Sequence, residues 1–178
     1  MRIIAGSRKG HTIVAPRGTA TRPTGDRVRE AAFNMIGPVD GAQVLDLYAG
    51  SGAMGLEALS RGADRAVFVE SDRHAVESIR RNLEKLRLTG AVIVQQPVVS
   101  ALAAEAGAGR RYDLVLIDPP YADWAELQGT LGRYVPAVLA EDGLVVVESS
   151  SRDEPRLPLA LRTSRRYGSA RLTLYEHP

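Results

Sequence analysis

The chain has 178 residues, of which 44% are hydrophobic and 25% are charged, and its formal net charge is +2. These values are typical of a folded globular protein and exclude a disordered chain or a collagen-like repeat. The chain contains no cysteine, which excludes a disulfide scaffold, thiol catalysis, cysteine-bound zinc and iron–sulfur clusters. Its apolar runs are far shorter than the roughly 20 residues of a membrane helix, and its amino terminus lacks the apolar core of a signal peptide. We therefore expect a cytoplasmic protein without a membrane span.

The positive charge is concentrated at the amino end of the chain. Residues 1–30 contain seven basic and two acidic residues, whereas the remaining 148 residues carry a net charge of −3. Such a basic arm can bind nucleic-acid phosphates, although a solvated hairpin that is rich in arginine by chance would have the same composition. The candidates for nucleic-acid contacts are Arg2, Arg8, Lys9, Arg22 and Arg27.

Residues 1–24 are predicted to form this basic extension. The β-like runs at residues 2–5 and 11–14 predict a short hairpin around a polar turn. Residues 15–24 are rich in Pro, Gly and Thr, which is typical of a loop. The extension is therefore expected to consist of a hairpin followed by a loop.

Residues 25–178 are predicted to form one α/β domain. Thr24 or Asp26 is expected to cap a first helix that ends near Met35. Strands then alternate with helices, and the chain ends in an antiparallel hairpin. The predicted strands comprise residues 43–49, 65–70, 91–95, 112–121 (the last running into a turn) and 143–149, with the hairpin over 162–176. The helix after the first strand is expected to end near Arg61, Asp72 is expected to cap a helix that ends near Arg87, and two further helices are expected to span roughly 98–105 and 123–139.

This alternation predicts a Rossmann-like α/β fold. Its sheet is expected to have seven strands, mostly parallel, with right-handed crossovers and the terminal antiparallel hairpin at one side. Sheets of this kind bind ligands beyond the carboxyl ends of their parallel strands. The chemistry is therefore expected at residues 46–52, 70–72, 96–98 and 118–121.

A glycine-rich loop follows the first strand of this domain. The sequence Asp46-Leu-Tyr-Ala-Gly50-Ser-Gly52 allows the backbone to approach a ligand and to turn sharply into a helix. Glu70, at the end of the next strand, is placed to accept hydrogen bonds from ribose hydroxyls. A nicotinamide dinucleotide and S-adenosylmethionine both fit this pattern, and the acidic Asp46 before the glycines favours the cationic sulfonium of the latter.

The tetrapeptide Asp118-Pro119-Pro120-Tyr121 ends the fourth predicted strand and is similar to a motif of methyltransferases that modify exocyclic amino groups. The lone pair of a nucleobase amine is delocalised into the ring, so the amine is a poor nucleophile. The Asp118 carboxylate and the Pro119 carbonyl can each accept one N–H and direct the lone pair towards the methyl group. Tyr121 offers a ring face for stacking of the base, and this chemistry needs no metal.

The N-terminal stretch resembles a single bacterial family. Arg22-Pro-Thr24, Asp26-Arg-Val-Arg-Glu30 and Phe33-Asn34, combined with the Asp118 tetrapeptide, are similar to the 16S rRNA (guanine(966)-N(2))-methyltransferases. These are class I S-adenosylmethionine-dependent enzymes, and the resemblance covers essentially the whole chain. It implies methyl transfer from S-adenosylmethionine to N2 of one guanine in 16S rRNA, on an assembled small-subunit particle. It also implies an N-terminal hairpin that docks on the rRNA.

The resemblance also implies roles for individual residues. Glu70 would bind the ribose, and Gln96 or the backbone of Val98 would bind the adenine, because Pro97 stands where the family often has a polar residue. The cofactor residues would be Asp46, Tyr48, Gly50, Gly52, Glu70, Ser71, Gln96 and Val98. The catalytic residues would be Asp118, Pro119 and Tyr121.

Several alternatives stay open at the level of the sequence. The target amine could belong to adenine N6 of DNA or RNA or to a protein glutamine, and a nicotinamide-dependent reductase or a non-catalytic RNA-binding assembly factor would share parts of the pattern. We expect a monomer without a metal. We also expect that deletion of residues 1–30 weakens RNA binding while it leaves the cofactor affinity nearly unchanged.

Overall fold

The computed structural model describes residues 1–16, 25–120 and 124–178. Two of the predicted site residues, Arg22 and Tyr121, lie outside this described part of the chain. The helices are α1 (Asp26–Ile36), α2 (Ala53–Ser60), α3 (Arg73–Leu86), α4 (Val98–Gly107) and α5 (Trp124–Val138). The strands are β1 (Gln43–Leu47), β2 (Arg65–Val69), β3 (Ala91–Val94), β4 (Tyr112–Ile117), β5 (Leu139–Ser150), β6 (Ala160–Tyr167) and β7 (Ala170–Glu176). Within the described ranges, no helix is long and apolar enough to span a membrane.

All seven strands belong to one sheet, in the order β3-β2-β1-β4-β5-β7-β6. The first five strands in this order pair in parallel, whereas β7 runs antiparallel to both β5 and β6. The predicted fold class is therefore confirmed. Because β1 to β4 are parallel, their carboxyl ends meet at one edge of the sheet, where the sequence motifs lie.

Helices cover both faces of the sheet, and strand residues alternate between the two apolar layers. Val44 packs into the layer that contains Phe33 of α1, whereas its neighbour Leu45 packs into the layer that contains Leu102 of α4. A sheet that is buried on both faces needs strands that are apolar throughout, as the run at Leu114 to Ile117 is.

Several predicted element ends differ in the structure by a few residues, among them the start of α1 and the start of β5. Gly25 occupies the N-cap position of α1, and Asp26 is the first helical residue, so the prediction of Asp26 as the cap is wrong. The Asp26 carboxylate instead accepts a hydrogen bond from Arg29 at 2.9 Å. Strand β5 begins at Leu139, directly after α5, because tertiary pairing with β4 across a register shift extends it beyond its apolar run.

The described part of the predicted extension packs against the rest of the protein. A single antiparallel bridge joins Arg2 to Thr12, and a 3-10 turn over Gly6–Arg8 connects the two sides. Ile3 and Ile13 are buried in the same apolar layer as α1, α2 and α3. The hairpin was thus predicted correctly in its pairing, and its side chains share the core of the domain. The division of the chain at residue 24 stays a prediction.

Candidate functional site

The glycine-rich loop leaves β1 through backbone conformations that few residues adopt. Tyr48 has a φ of 59°, and Gly50 and Gly52 have φ values of 56° and 79°. Gly52 is also the N-cap residue of α2, and a Cβ atom there would lie 3.2 Å from Ile79. The loop therefore turns tightly at the sheet edge, as the sequence predicted, with Gly50 partly exposed and Ser51 and Gly52 buried.

Asp46 lies beneath this loop and is almost completely buried, with 3% of its surface exposed. Its carboxylate accepts a hydrogen bond from the backbone N–H of Gly55, in the first turn of α2, at 2.9 Å. Burial raises the pKa of Asp46 to about 7, and the negative charges of Asp118 and Glu70 contribute to the same shift. The predicted catalytic and cofactor carboxylates therefore lie close enough to repel one another.

Glu70 follows β2 and is held by two backbone donors. One carboxylate oxygen accepts from the N–H of Gly50 at 2.8 Å, and the other accepts from the N–H of Asp72 at 2.8 Å. Asp72 in turn caps α3 by accepting from the N–H of Ala75 at 2.8 Å, as predicted. The carboxylate is thus fixed between the glycine loop and the start of α3, and the exposed Ser71 lies beside it.

The residues that follow β3 include the two candidates for the adenine contact, Gln96 and Val98. Gln96 is exposed, and its backbone N–H donates to the carbonyl of Val94 at 3.1 Å. Pro97 is the N-cap residue of α4, and Val98 is the buried first residue of that helix. The backbone is positioned at the expected sheet edge, and the predicted adenine contact through Gln96 or Val98 stays a prediction.

Asp118 and Pro119 follow β4 at the level of Glu70. Leu47 of β1 pairs with Val69 on one side and with Ile117 on the other, so the residues after both partner strands lie at the same height. Asp118 is half-buried, Pro119 is buried and Pro120 is exposed. Asp118 and Pro119 thus lie at the same sheet edge as the glycine loop, and their part in catalysis stays a prediction.

The predicted RNA-contacting residues differ in their surroundings. Arg2, Lys9 and Arg27 are exposed. The Arg8 guanidinium donates to the backbone carbonyl of Leu86, and also to that of Arg87 at 3.3 Å, at the carboxyl end of α3. Arg8 therefore anchors the N-terminal segment, a role that its sequence context did not indicate.

Asn82 and Glu57 are two buried polar residues that sequence reasoning missed. Asn82 is fully buried and contacts the glycine loop, whereas Glu57 is fully buried between α2 and the N-terminal segment. Both interrupt otherwise apolar helix faces, and this interruption is the signal that could have identified them. Asn82 stands between Ile79 and Leu86 on the apolar face of α3.

Residues 1–176 match the family described as "Conserved hypothetical protein 95". The chain belongs to this family. One similar protein, "Putative rRNA methyltransferase YlbH" from Bacillus subtilis, is 39% identical over 99% of this chain and 98% of its own length. The "Ribosomal RNA small subunit methyltransferase D" of Escherichia coli is also 39% identical, over 84% of this chain and 74% of its own length.

Solved structures agree with this family membership. "Putative methyltransferase yhhF from Escherichia coli" superposes with a TM-score of 0.83 at 34% identity, over 100% of this chain and 99% of that protein. The solved structure of "SMU.776, a putative methyltransferase complexed with SAH" shares the fold, with a TM-score of 0.67 at 17% identity over 84% of this chain and 48% of that protein. The predicted family and the class I methyltransferase fold are therefore confirmed, and the prediction of S-adenosylmethionine as cofactor agrees with both.

Proposed function

We propose that this protein transfers a methyl group from S-adenosylmethionine to the exocyclic N2 of a specific guanine in 16S rRNA. The observation that carries the proposal is the position of Asp118 and Pro119, which follow β4 at the level of Glu70 and beside the glycine loop. This placement supports the proposal that the Asp118 carboxylate and the Pro119 carbonyl act as two acceptors beside a cofactor bound at the glycine loop.

The chemistry of the loop fits a cationic cofactor. Asp46, Glu70 and Asp118 concentrate negative charge at one sheet edge, and a sulfonium cation there relieves their mutual repulsion. Gly50 and Gly52 allow close backbone approach, and the oriented Glu70 carboxylate is available to ribose hydroxyls. S-adenosylmethionine supplies an electrophilic methyl group on sulfur when it is bound here.

Asp118 and Pro119 activate the target amine through hydrogen bonding. Each accepts one N–H, through a carboxylate oxygen and a backbone carbonyl oxygen respectively, which moves the nitrogen towards a tetrahedral arrangement. The ring of Pro119 fixes its φ angle, so the two acceptors are held in place before the substrate arrives. Fixed acceptors of this kind stabilise the positive charge that develops on nitrogen. Tyr121 is proposed to stack on the base.

The proposed substrate is small-subunit rRNA on an assembled particle. The Escherichia coli relative is named as a methyltransferase of that subunit, and Arg2 and Lys9 of the N-terminal segment and Arg27 of α1 are exposed for phosphate contacts. The exocyclic N2 is proposed because the family resemblance implies a guanine target. The reaction is proposed to take place in the cytoplasm, with a monomeric enzyme and no metal.

Asp118→Asn tests the mechanism directly. We expect the rate of methyl transfer to fall by at least about 100-fold, because the preorganised acceptor loses its negative charge and becomes a neutral amide oxygen. The affinity for S-adenosylmethionine should change little. The measurement uses labelled S-adenosylmethionine with small-subunit particles from a strain that lacks this gene, followed by mass mapping of the labelled nucleotide.

The control is Asp113→Asn on the same strand. Asp113 lies at the far end of β4, where its carboxylate accepts from the N–H of Gln43 at 2.7 Å, and this variant is expected to remain active. Full activity of Asp118→Asn would contradict the mechanism. A label on an adenine, in DNA or in a protein would instead contradict the proposed substrate.

A further inference from the structure

We infer that Asn82 is a positioning residue that couples the N-terminal segment to the cofactor loop, so that docking of this segment sets the affinity for S-adenosylmethionine. This inference rests on the proposed function, because it takes the loop around Gly50 as the cofactor site. It assigns to residues 1–14 a part in cofactor binding, in addition to their proposed contacts with RNA.

Asn82 connects two segments that are far apart in the sequence. Its side-chain carbonyl accepts from the backbone N–H of Val14 at 2.8 Å, and its amide donates to the carbonyl of Val14 at 2.9 Å. The same amide donates to the carbonyl of Ser51, within the glycine loop, at 3.0 Å. One side chain therefore holds an N-terminal residue and a cofactor-loop residue at once.

The surroundings of Asn82 make these bonds obligatory. The residue is fully buried, so no water competes for its amide or carbonyl group. A buried polar group that loses its partner carries an uncompensated desolvation cost, which strongly favours the arrangement in which all its bonds are made. Ser51 is itself buried, and it immediately precedes Gly52, the left-handed residue that begins α2.

The rest of the cofactor loop is fixed from the opposite side. Glu70 accepts from the N–H of Gly50, and the N–H of Ala49 donates to the carbonyl of Val69 at 3.1 Å. Asn82 supplies the attachment on the side of α3. If Val14 leaves its position, Asn82 loses two of its three bonds and becomes free to change rotamer, which releases the carbonyl of Ser51.

A neighbouring residue on α3 provides a matched control. The Lys85 ammonium donates to the hydroxyl of Thr12 at 2.6 Å, so it also contacts the N-terminal segment, but at an exposed position. This hydrogen bond does not involve the cofactor loop. Loss of Lys85 therefore tests whether any contact to this segment has the same effect.

The experiment compares the full-length wild type with Asn82→Ala, Val14→Pro and Lys85→Ala. The dissociation constant for S-adenosylmethionine is measured by calorimetry, and the free energy of unfolding by urea titration.

We expect Asn82→Ala to weaken binding by about tenfold, corresponding to the loss of at least one buried hydrogen bond. Val14→Pro removes the N–H that donates to Asn82 and also fixes the backbone φ of residue 14, whose side chain is exposed, and should weaken binding by about threefold to fivefold. Lys85→Ala should change the affinity by less than about twofold.

A second readout separates positioning from general destabilisation. In the wild type, addition of S-adenosylmethionine should slow hydrogen exchange at the Val14 amide, because coupling between two sites is reciprocal. Lys85→Ala should keep the cofactor-dependent protection of the Val14 amide. Val14→Pro lacks this amide, so in that variant the side-chain amide of Asn82 is followed, and its cofactor-dependent protection should be lost. If Asn82→Ala does not fold, the affinity of Val14→Pro for S-adenosylmethionine tests the inference.

Wild-type affinity in folded Asn82→Ala, or in Val14→Pro, would overturn the inference. Equal weakening by Lys85→Ala would also overturn it, because the effect would then follow from any loosening of the segment. Failure of the wild type itself to bind S-adenosylmethionine would contradict the proposed function, and this outcome is distinct from the others.

Discussion

At the scale of single residues, the buried carboxylate of Asp46 should make stability depend on pH. Its pKa rises from the ordinary value of 3.8 to about 7 in the folded protein, mainly through burial. Between these values the native state binds one more proton than the unfolded state, so the contribution of Asp46 to the free energy of unfolding falls as the pH rises. Above about 7 the carboxylate is ionised in both states, and no further change is expected from this group.

Asp46→Asn provides the test of this pH dependence. The free energy of unfolding is measured for both proteins by urea titration. We expect the value for the wild type minus the value for the variant to decrease as the pH is raised from 3.8 to about 7. Because a cationic cofactor favours the ionised carboxylate, the affinity of the wild type for S-adenosylmethionine should rise over the same range. A constant difference between the two proteins across this range would contradict the assignment.

Gly55 is a second residue whose identity is set by its neighbours. A Cβ atom at this position would lie 2.4 Å from the Phe68 ring and 3.0 Å from the Asp46 carboxylate. We expect Gly55→Ala to lower the free energy of unfolding by about 1–3 kcal/mol, because the ring must move within a packed core. Gly129→Ala in α5 is the control, since nothing lies within 4 Å of its added Cβ. It should be neutral or stabilise the protein by up to about 1 kcal/mol, and a similar loss in both would contradict the packing argument.

At the scale of elements, Glu57 joins the N-terminal segment to α1 and α2. Its carboxylate accepts from the backbone N–H groups of Ile4 at 2.8 Å and Ala5 at 2.9 Å, and from the Arg61 guanidinium at 2.8 Å. The guanidinium of Arg29, from α1, lies 3.5 Å away and is also fully buried. The segment is therefore attached through charged groups that are shielded from water.

Glu57→Gln should reveal the strength of this attachment. We expect the free energy of unfolding to fall by about 3 kcal/mol, because removal of one member of a buried ion pair leaves the positive partner poorly compensated. Glu77→Gln on α3 is the matched control: this glutamate is half-exposed and pairs with Arg80 and Arg81. It should shift stability by less than about 1 kcal/mol in the same urea titration. Equal effects of the two substitutions would argue against the buried attachment.

At the scale of the whole molecule, the uneven charge distribution predicts how RNA binding depends on salt. Lys9 and Arg27 are exposed on or beside the N-terminal segment. We expect the double variant Lys9→Ala, Arg27→Ala to bind small-subunit rRNA more weakly. The slope of log affinity against log salt should also become shallower by about 0.7–0.9 for each lost phosphate contact. Filter binding over a range of salt concentrations measures both quantities.

The control for this prediction is Arg80→Ala, Arg81→Ala, which removes the same charge from the exposed face of α3. An unchanged salt slope in the first variant, or the same change in both, would contradict a specific role of the N-terminal charge. These point variants test the N-terminal charge better than deletion of residues 1–30 does. That deletion would remove Ile3 and Ile13 from the core and Val14 from Asn82, so we no longer expect it to spare cofactor affinity.

Much of the fold followed from local patterns. The apolar strands, the Asp72 cap of α3 and the glycines around β1 each carry a signal within a few residues, and together they predicted the parallel sheet and the edge at which its motifs meet. The predictions were wrong where pairing or packing overrides local preference. Asp26 is the first residue of α1, where its carboxylate binds Arg29 and does not cap the helix. Strand β5 extends back to Leu139 because it pairs there with β4.

The family, the order of alternating strands and helices, and the residue types suited to a sulfonium cofactor and an amine could all be read from the amino-acid sequence, because each depends on spacing along the chain. Long-range packing, by contrast, was needed to show that the basic N-terminal segment shares the core of the domain and is joined to the glycine-rich loop through Asn82. That contact joins residues 14, 51 and 82. No local pattern encodes it, since a buried amide finds its partners only when three distant segments have packed together.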